Sequence, residues 1–207
     1  MAKLLGDNMD LGILKNNFKK NNGILKASQI IELGFTRTEI HTFVSENIIE
    51  SIYHGYYKLY NFDISDVIYI KTLLPDAIIC MDSALFHYGY IDRTPLEWHV
   101  AVSKNTSKSK FKGDYSYLRP YFLRDTTLNI GKTAELIDGI EMNIYERERV
   151  ICDCFRFKNK IDSETYTKAI NSYIKDNDKN ITNLVSYAKK LRVFEKLSAV
   201  MEVIINA

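Results

Sequence analysis

Arg37, Thr38, His41, Thr42 and Ser45 recur at helical spacing, and their side chains are of the kinds that read base edges in a DNA groove. On a helix they share one face, with Arg37 at the amino end, where major-groove helices concentrate their base contacts. Cations and hydroxyls nearby are suited to phosphate, which fixes the register of such a helix on a duplex. The expected DNA-binding set is Lys26, Ser28, Thr36, Arg37, Thr38, His41, Thr42, His54 and Lys58.

Thr36 and Glu39 form a capping-box pattern that starts a helix over 37–46, with Ile40, Phe43 and Val44 turned inward. A preceding helix over 26–33 is expected to bury Ala27, Ile30, Ile31 and Leu33, and Gly34 permits the turn between the two. Residues 48–53 and 56–60 read as strands around His54-Gly55. An opening amphipathic helix over 10–22, with Leu11, Leu14 and Phe18 on one face, completes a winged helix-turn-helix over 1–61.

A second basic group follows. Residues 101–134 carry seven Lys/Arg against two Asp/Glu, whereas the whole chain is only +2. Lys104, Lys108, Lys110, Lys112, Arg119, Arg124 and Lys132 are interleaved with Tyr115, Tyr117, Tyr121 and Phe122. Lysines with aromatic stacking surfaces suit a second nucleic-acid surface. They equally suit an acidic protein patch, or a solvated loop.

Enzyme signatures fail on spacing. Gly131-Lys132-Thr133 ends like a phosphate-binding loop, but Thr126 stands where the first glycine is needed, and a strand is expected next. Asp176, Asp178 and Asn180 start like a calcium loop, but Ile181 and Tyr187 occupy the positions of its glycine and bidentate glutamate. The four histidines include no helical pair at zinc spacing. No Asp-x-Lys or Glu-x-Lys occurs, which weighs against one large class of metal-dependent nucleases. Arg149 and Asp153, four apart, read as a structural ion pair. No catalytic residue, metal or cofactor is expected.

At 207 residues and 46% apolar content, the chain has material for two small cores. Lys3 and Asp7 leave only Leu4-Leu5 between them, and no apolar run approaches membrane-spanning length. Three cysteines cannot all pair, so buried thiols in a reducing cytoplasm are expected. After a polar connection at 61–65, residues 62–207 read as a mixed α+β domain. Strands are expected over 77–81, 96–102, 115–123, 133–137 and 140–145. Asp82 or Ser83 is expected to cap a short helix ending at His87. Helices over 147–157, 164–175, 183–191 and 194–205 then close the chain as a bundle. The expected fold class is α+β throughout.

Three groups of residues, in this order, resemble the AbiEi-type antitoxins of abortive-infection type IV toxin–antitoxin systems. They are Gly34-Phe35-Thr36-Arg37 with Gly55-Tyr56-Tyr57, then Ser83-Ala84-Leu85 with His87-Tyr88-Gly89, then Glu148-Arg149 with Asp153. The resemblance spans nearly the whole chain. It implies a non-enzymatic autorepressor that binds operator inverted repeats, with cooperative self-association on double-stranded DNA. It also implies a second domain that counteracts a cognate nucleotidyltransferase-type toxin. His54 and Ser51 stand where wings of that family usually carry arginine. Two rival readings remain at this stage, a nucleic-acid-processing enzyme and a ligand-sensing transcription factor.

Overall fold

The computed structural model describes residues 2–111 and 117–205, with side chains described outside 2–10, 110 and 201–205. It is a mixed α+β protein with two sheets, and it divides into two compact units between Leu73 and Leu74. The division lies beyond the expected 61/62 boundary. Phe62 packs on the first unit's core, and Gly23 comes so close to its ring that a Cβ there would lie 2.6 Å from it.

The first unit runs α1 (Ala2–Lys20), β1 (Ile24–Lys26), α2 (Ala27–Glu32), α3 (Arg37–Ser45), β2 (Ile49–Tyr53), β3 (Tyr56–Leu59) and α4 (Asp66–Leu73). Its antiparallel sheet has the order β1-β3-β2, and β1 is a strand that the sequence pattern did not announce. Leu14, Phe18, Leu25, Ile30, Ile40 and Ile49 lie at the centre of its core. Ile31, expected inside, is 41% exposed, and Ala27 and Leu33 are only half-buried. A six-residue helix has room for little more than one inward position, which Ile30 takes.

The second unit contains β4 (Ile78–Ile79), α5 (Met81–His87), β5 (Trp98–Ser103), β6 (Leu118–Leu123), α6 (Asp125–Leu128), β7 (Lys132–Ile137) and β8 (Ile140–Tyr145). The helices α7 (Arg147–Arg156), α8 (Ser163–Lys175), α9 (Ile181–Lys190) and α10 (Phe194–Ile205) follow. The sheet order is β6-β5-β4-β8-β7, with β5–β6 and β4–β8 parallel. Pro120 lies on the edge strand β6, where its missing N–H costs least. Asp138 and Gly139 both take positive φ, the primed turn that suits the β7–β8 hairpin. Helix α7 packs against α5, α8, α9 and α10, and every residue from Glu148 to Phe155 is buried.

The expected strand over 77–81 is cut short because the chain turns into α5 two residues earlier than a capping Asp82 would allow. Cys80 is the N-cap residue and makes no side-chain cap. Ser83 is instead drawn inside, where its Oγ accepts the His99 backbone N–H at 2.8 Å.

Candidate nucleic-acid interface

Helix α3 is fixed at its start by Thr36. The Glu39 N–H donates to Thr36 Oγ1 at 3.2 Å, while Glu39 Oε2 accepts from the Thr36 N–H and hydroxyl, each at 2.7 Å. These bonds hold the Glu39 carboxyl below its ordinary pKa, the backbone bond from Thr36 most of all. Ile40 and Phe43 anchor the inner face, with Phe43 edge-on to Phe35 at 5.3 Å between centroids. Arg37, Thr38, His41, Thr42 and Ser45 are all exposed on the other face.

The hydroxyls on that face have a defined polarity. Thr42 Oγ1 donates to the Thr38 carbonyl at 3.2 Å, and Ser45 Oγ donates to the Thr42 carbonyl at 2.8 Å. With their protons turned back to the helix, both oxygens present lone pairs outward. Arg37 is a donor at the amino end, so the face offers donor and acceptor groups in sequence.

The flanking residues divide in two. Lys26 is exposed ahead of α2, with its Nζ 5.5 Å from the Tyr56 ring centroid. It lines a cavity of about 300 Å³ with Lys20, Asn21, Gln29, Tyr56 and Thr72. Ser28 is exposed close by, and the Gly55 carbonyl accepts the Ala27 N–H at 2.7 Å. That bond brings the exposed His54 turn beside Lys26. Two expected contacts are otherwise engaged. Thr36 spends its hydroxyl on the cap. Lys58 pairs across the sheet with Glu50 at 2.6 Å, donates to the Phe62 carbonyl at 3.1 Å, and is only 18% exposed.

The described basic side chains of 101–134 do not form one patch. Lys104 follows β5 and Arg124 follows β6 at the same end of the parallel pair, where the Lys104 N–H donates to the Leu123 carbonyl. Lys108 is exposed, 5.9 Å from the Phe122 ring centroid. Arg119 and Lys132 lie toward the other end, on opposite edge strands. Four strand spacings separate those two edges, roughly 19 Å. Arg119 also approaches Glu97 at 3.8 Å, and Tyr121 is buried rather than offered for stacking. Lys112 and Tyr115 lie outside the described residues, as does the Lys110 side chain.

The second unit holds a polar cavity that sequence reasoning missed. Asp82, His99 and Arg119 are among its walls. His99 is 3% exposed, and its Nδ1 accepts the Asp82 N–H at 3.3 Å. Burial first, and the Arg119 charge second, hold its pKa down at about 4. The ring is therefore neutral with its proton on Nε2, and the 3.7 Å approach to Asp82 Oδ1 is no ion pair. Burial raises the pKa of Asp82. His99 lies in an apolar strand and Asp82 at a turn, so no spacing rule links them before β4, α5 and β5 are assembled.

Several other ionisable groups of the second unit do structural work. Arg149 pairs with Asp153 in the core. Glu148 Oε1 accepts from the Tyr173 hydroxyl and the Asn180 N–H, and Glu135 accepts from Tyr88 and contacts His87. All three cysteines are buried and free. Burial pushes Cys152 up to about 12 and Cys80 and Cys154 well above the ordinary thiol range, so none is a poised nucleophile. Among the described residues, no group of three or more His, Cys, Asp or Glu could hold a metal ion, and no helix is long and apolar enough to cross a membrane. No protein-family model and no curated protein matches the chain.

Proposed function

We propose that the chain is a cytoplasmic, non-enzymatic DNA-binding antitoxin of the AbiEi type, repressing its own operon and counteracting a nucleotidyltransferase-type toxin. The observation that carries the DNA-binding part is the outward face of α3, where Arg37, Thr38, His41 and Thr42 stand exposed on a capped, core-anchored helix. The element order α1-β1-α2-α3-β2-β3, with β1 closing the sheet on β3, supports a winged helix-turn-helix reading of this unit. In this reading Lys26 and the His54 turn touch phosphate while α3 enters the major groove. Lys58 braces the hairpin through Glu50 instead of meeting DNA.

The antitoxin part rests on the resemblance carried by the three residue groups. Two of them supply internal supports of the second unit, Ser83 beneath His99 and Arg149 against Asp153. The test is co-expression with the adjacent gene, scored by growth, together with gel-shift titration of the DNA upstream of the chain's own gene. Growth rescue and a specific shift support the reading. A specific shift without rescue, from a neighbour that is not toxic alone, favours the ligand-sensing transcription factor, for which the Asp82–His99 cavity is the supporting observation.

A further inference from the structure

Strand β7 is an open edge of the second sheet, paired with β8 alone among the described residues. We propose that it pairs antiparallel with β7 of a second copy of the chain, so that the two sheets run on into one another about a two-fold axis. This inference concerns the second unit and does not rest on the DNA-binding reading.

The edge is open in its backbone. The Glu146 N–H donates to the Gly131 carbonyl at 2.8 Å, which makes 131 and 146 a hydrogen-bonded pair. Bonded pairs alternate along an antiparallel ladder, and the β7–β8 register runs unbroken from Lys132 opposite Tyr145 to Ile137 opposite Ile140. Thr133, Glu135 and Ile137 therefore turn their N–H and carbonyl groups toward β8, and Ala134 and Leu136 turn theirs outward. A row of outward groups is a template for another strand.

The other sheet edges are guarded. Strand β6 carries Arg119 and Pro120, β2 is bulged between Ser51 and Tyr53, and β1 is three residues long. Strand β7 has no proline and no bulge, and its lysine stands at the first position. Leu136, an apolar side chain on this edge, is 69% exposed.

The composition of the strand selects its own copy and a register. Residues directly opposite in an antiparallel pair point to the same face, so a two-fold pair of identical strands is centred on one residue. Ala134 and Glu135 are the two centres that give the longest overlap of Lys132–Ile137. Centring on Glu135 sets its carboxyl group against its own copy, a disfavoured opposition of like groups. Centring on Ala134 sets alanine on alanine, where small side chains allow close approach, and spends the outward backbone groups on bonds. Thr133 then faces Glu135 of the second copy. The stem of Lys132 covers Leu136 of the second copy and leaves its ammonium group in water. The two-fold axis makes each of these contacts twice.

The experiment uses the full chain without DNA, so its failure leaves the DNA-binding reading untouched. Sedimentation velocity from about 1 µM to about 200 µM should show monomers giving way to dimers, because a single strand pair is a small contact. Ala134→Pro removes an outward N–H and no bond to β8, and Leu136→Lys sets lysine against Lys132 of the second copy. Each should weaken dimerisation by about tenfold or more. The register is read by cross-linking under mild oxidation, since the native cysteines are all buried. Ala134→Cys meets its own copy at about 5.5 Å between Cα atoms, within disulfide reach, whereas Leu136→Cys lies roughly 14 Å from its own. The first should link at least about tenfold faster than the second. Both positions are exposed, so the cysteine variants stay informative if Ala134→Pro fails to fold. The proposal is overturned if the chain stays monomeric at about 200 µM, if a folded Ala134→Pro or Leu136→Lys variant dimerises as well as the parent, or if Leu136→Cys links as fast as Ala134→Cys.

Discussion

Arg149 Nε donates to Asp153 Oδ2 at 3.0 Å, one helical turn apart on α7, with the two side chains 0% and 2% exposed. The same guanidinium donates from Nη1 to the carbonyls of Thr127 and Ile130 and lies over the Tyr145 ring at 4.0 Å. Gly131 makes room for it. A Cβ there would sit 2.6 Å from Arg149 Cβ, and the glycine's φ of +67° is one that residues with side chains rarely adopt.

Removing one partner should therefore cost far more than removing both. Arg149→Met leaves Asp153 buried against Arg156 alone, at 3.4 Å, and orphans two carbonyls. The expected loss is about 3–5 kcal/mol in urea unfolding. Arg149→Met with Asp153→Leu should recover a substantial part of that loss, because no unpaired charge remains inside. A double variant no more stable than the single would show that the carbonyl bonds, not the ion pair, dominate.

What the sequence made legible was local. Thr36 with Glu39, the Asp138-Gly139 turn and the Arg149–Asp153 spacing each encode their structure within a few residues, and each takes the expected form. Fold class was legible too, since a run of strands is followed by a run of longer helices along the second unit. What was not legible depended on distant partners. Strand β1 exists because residues 24–26 pair with residues 56–58. The separation of Arg119 from Lys104 and Arg124 follows from strand register, and charge counting along the chain carries no register. Lys58 looked free until Glu50 was placed opposite it.

His99 should make stability depend on pH. Its folded pKa, about 4, lies below the ordinary 6.5, so the folded state resists a proton that the unfolded chain accepts. The stability from its neutral form is fully present above pH 6.5 and is lost as pH falls toward 4. The loss over that window is about 3 kcal/mol. His99→Gln, which keeps an acceptor for the Asp82 N–H, should flatten the profile there. Asp82, with a raised pKa, works in the opposite sense near the acid end, so the comparison is between variants at matched pH. Equal slopes for wild type and variant would exclude His99 as the source.

The proposed DNA-binding role of the first unit separates base contacts from phosphate contacts. Arg37→Ala with Thr42→Ala should weaken binding to the chain's own upstream DNA by about 1–3 kcal/mol per lost contact and leave the melting temperature unchanged, because both side chains are exposed. Lys26→Ala should weaken binding to all sequences alike and reduce the salt slope by about one. Lys58→Ala should leave that slope unchanged, since its charge is already spent on Glu50. A Lys58 variant with the same loss of slope as Lys26 would place β3 against the phosphates after all.

The two ends of the second sheet should act independently. If 101–134 worked as one polyanion-binding surface, its lysines and arginines would share a ligand, and their substitutions would couple. The register instead sets Lys104 and Arg124 at one end and Arg119 and Lys132 toward the other. Lys104→Ser with Arg124→Ser is therefore compared with Arg119→Ser and Lys132→Ser, singly and combined, for toxin neutralisation and for operator occupancy. Each exposed change should shift stability by less than about 0.5 kcal/mol. Effects of the two sets on either activity should add to within about 0.5 kcal/mol. Strong coupling would require one partner that spans the length of the strands, because the five residues from Arg119 to Arg124 extend roughly 17 Å and screening weakens bare charge effects beyond about 8 Å.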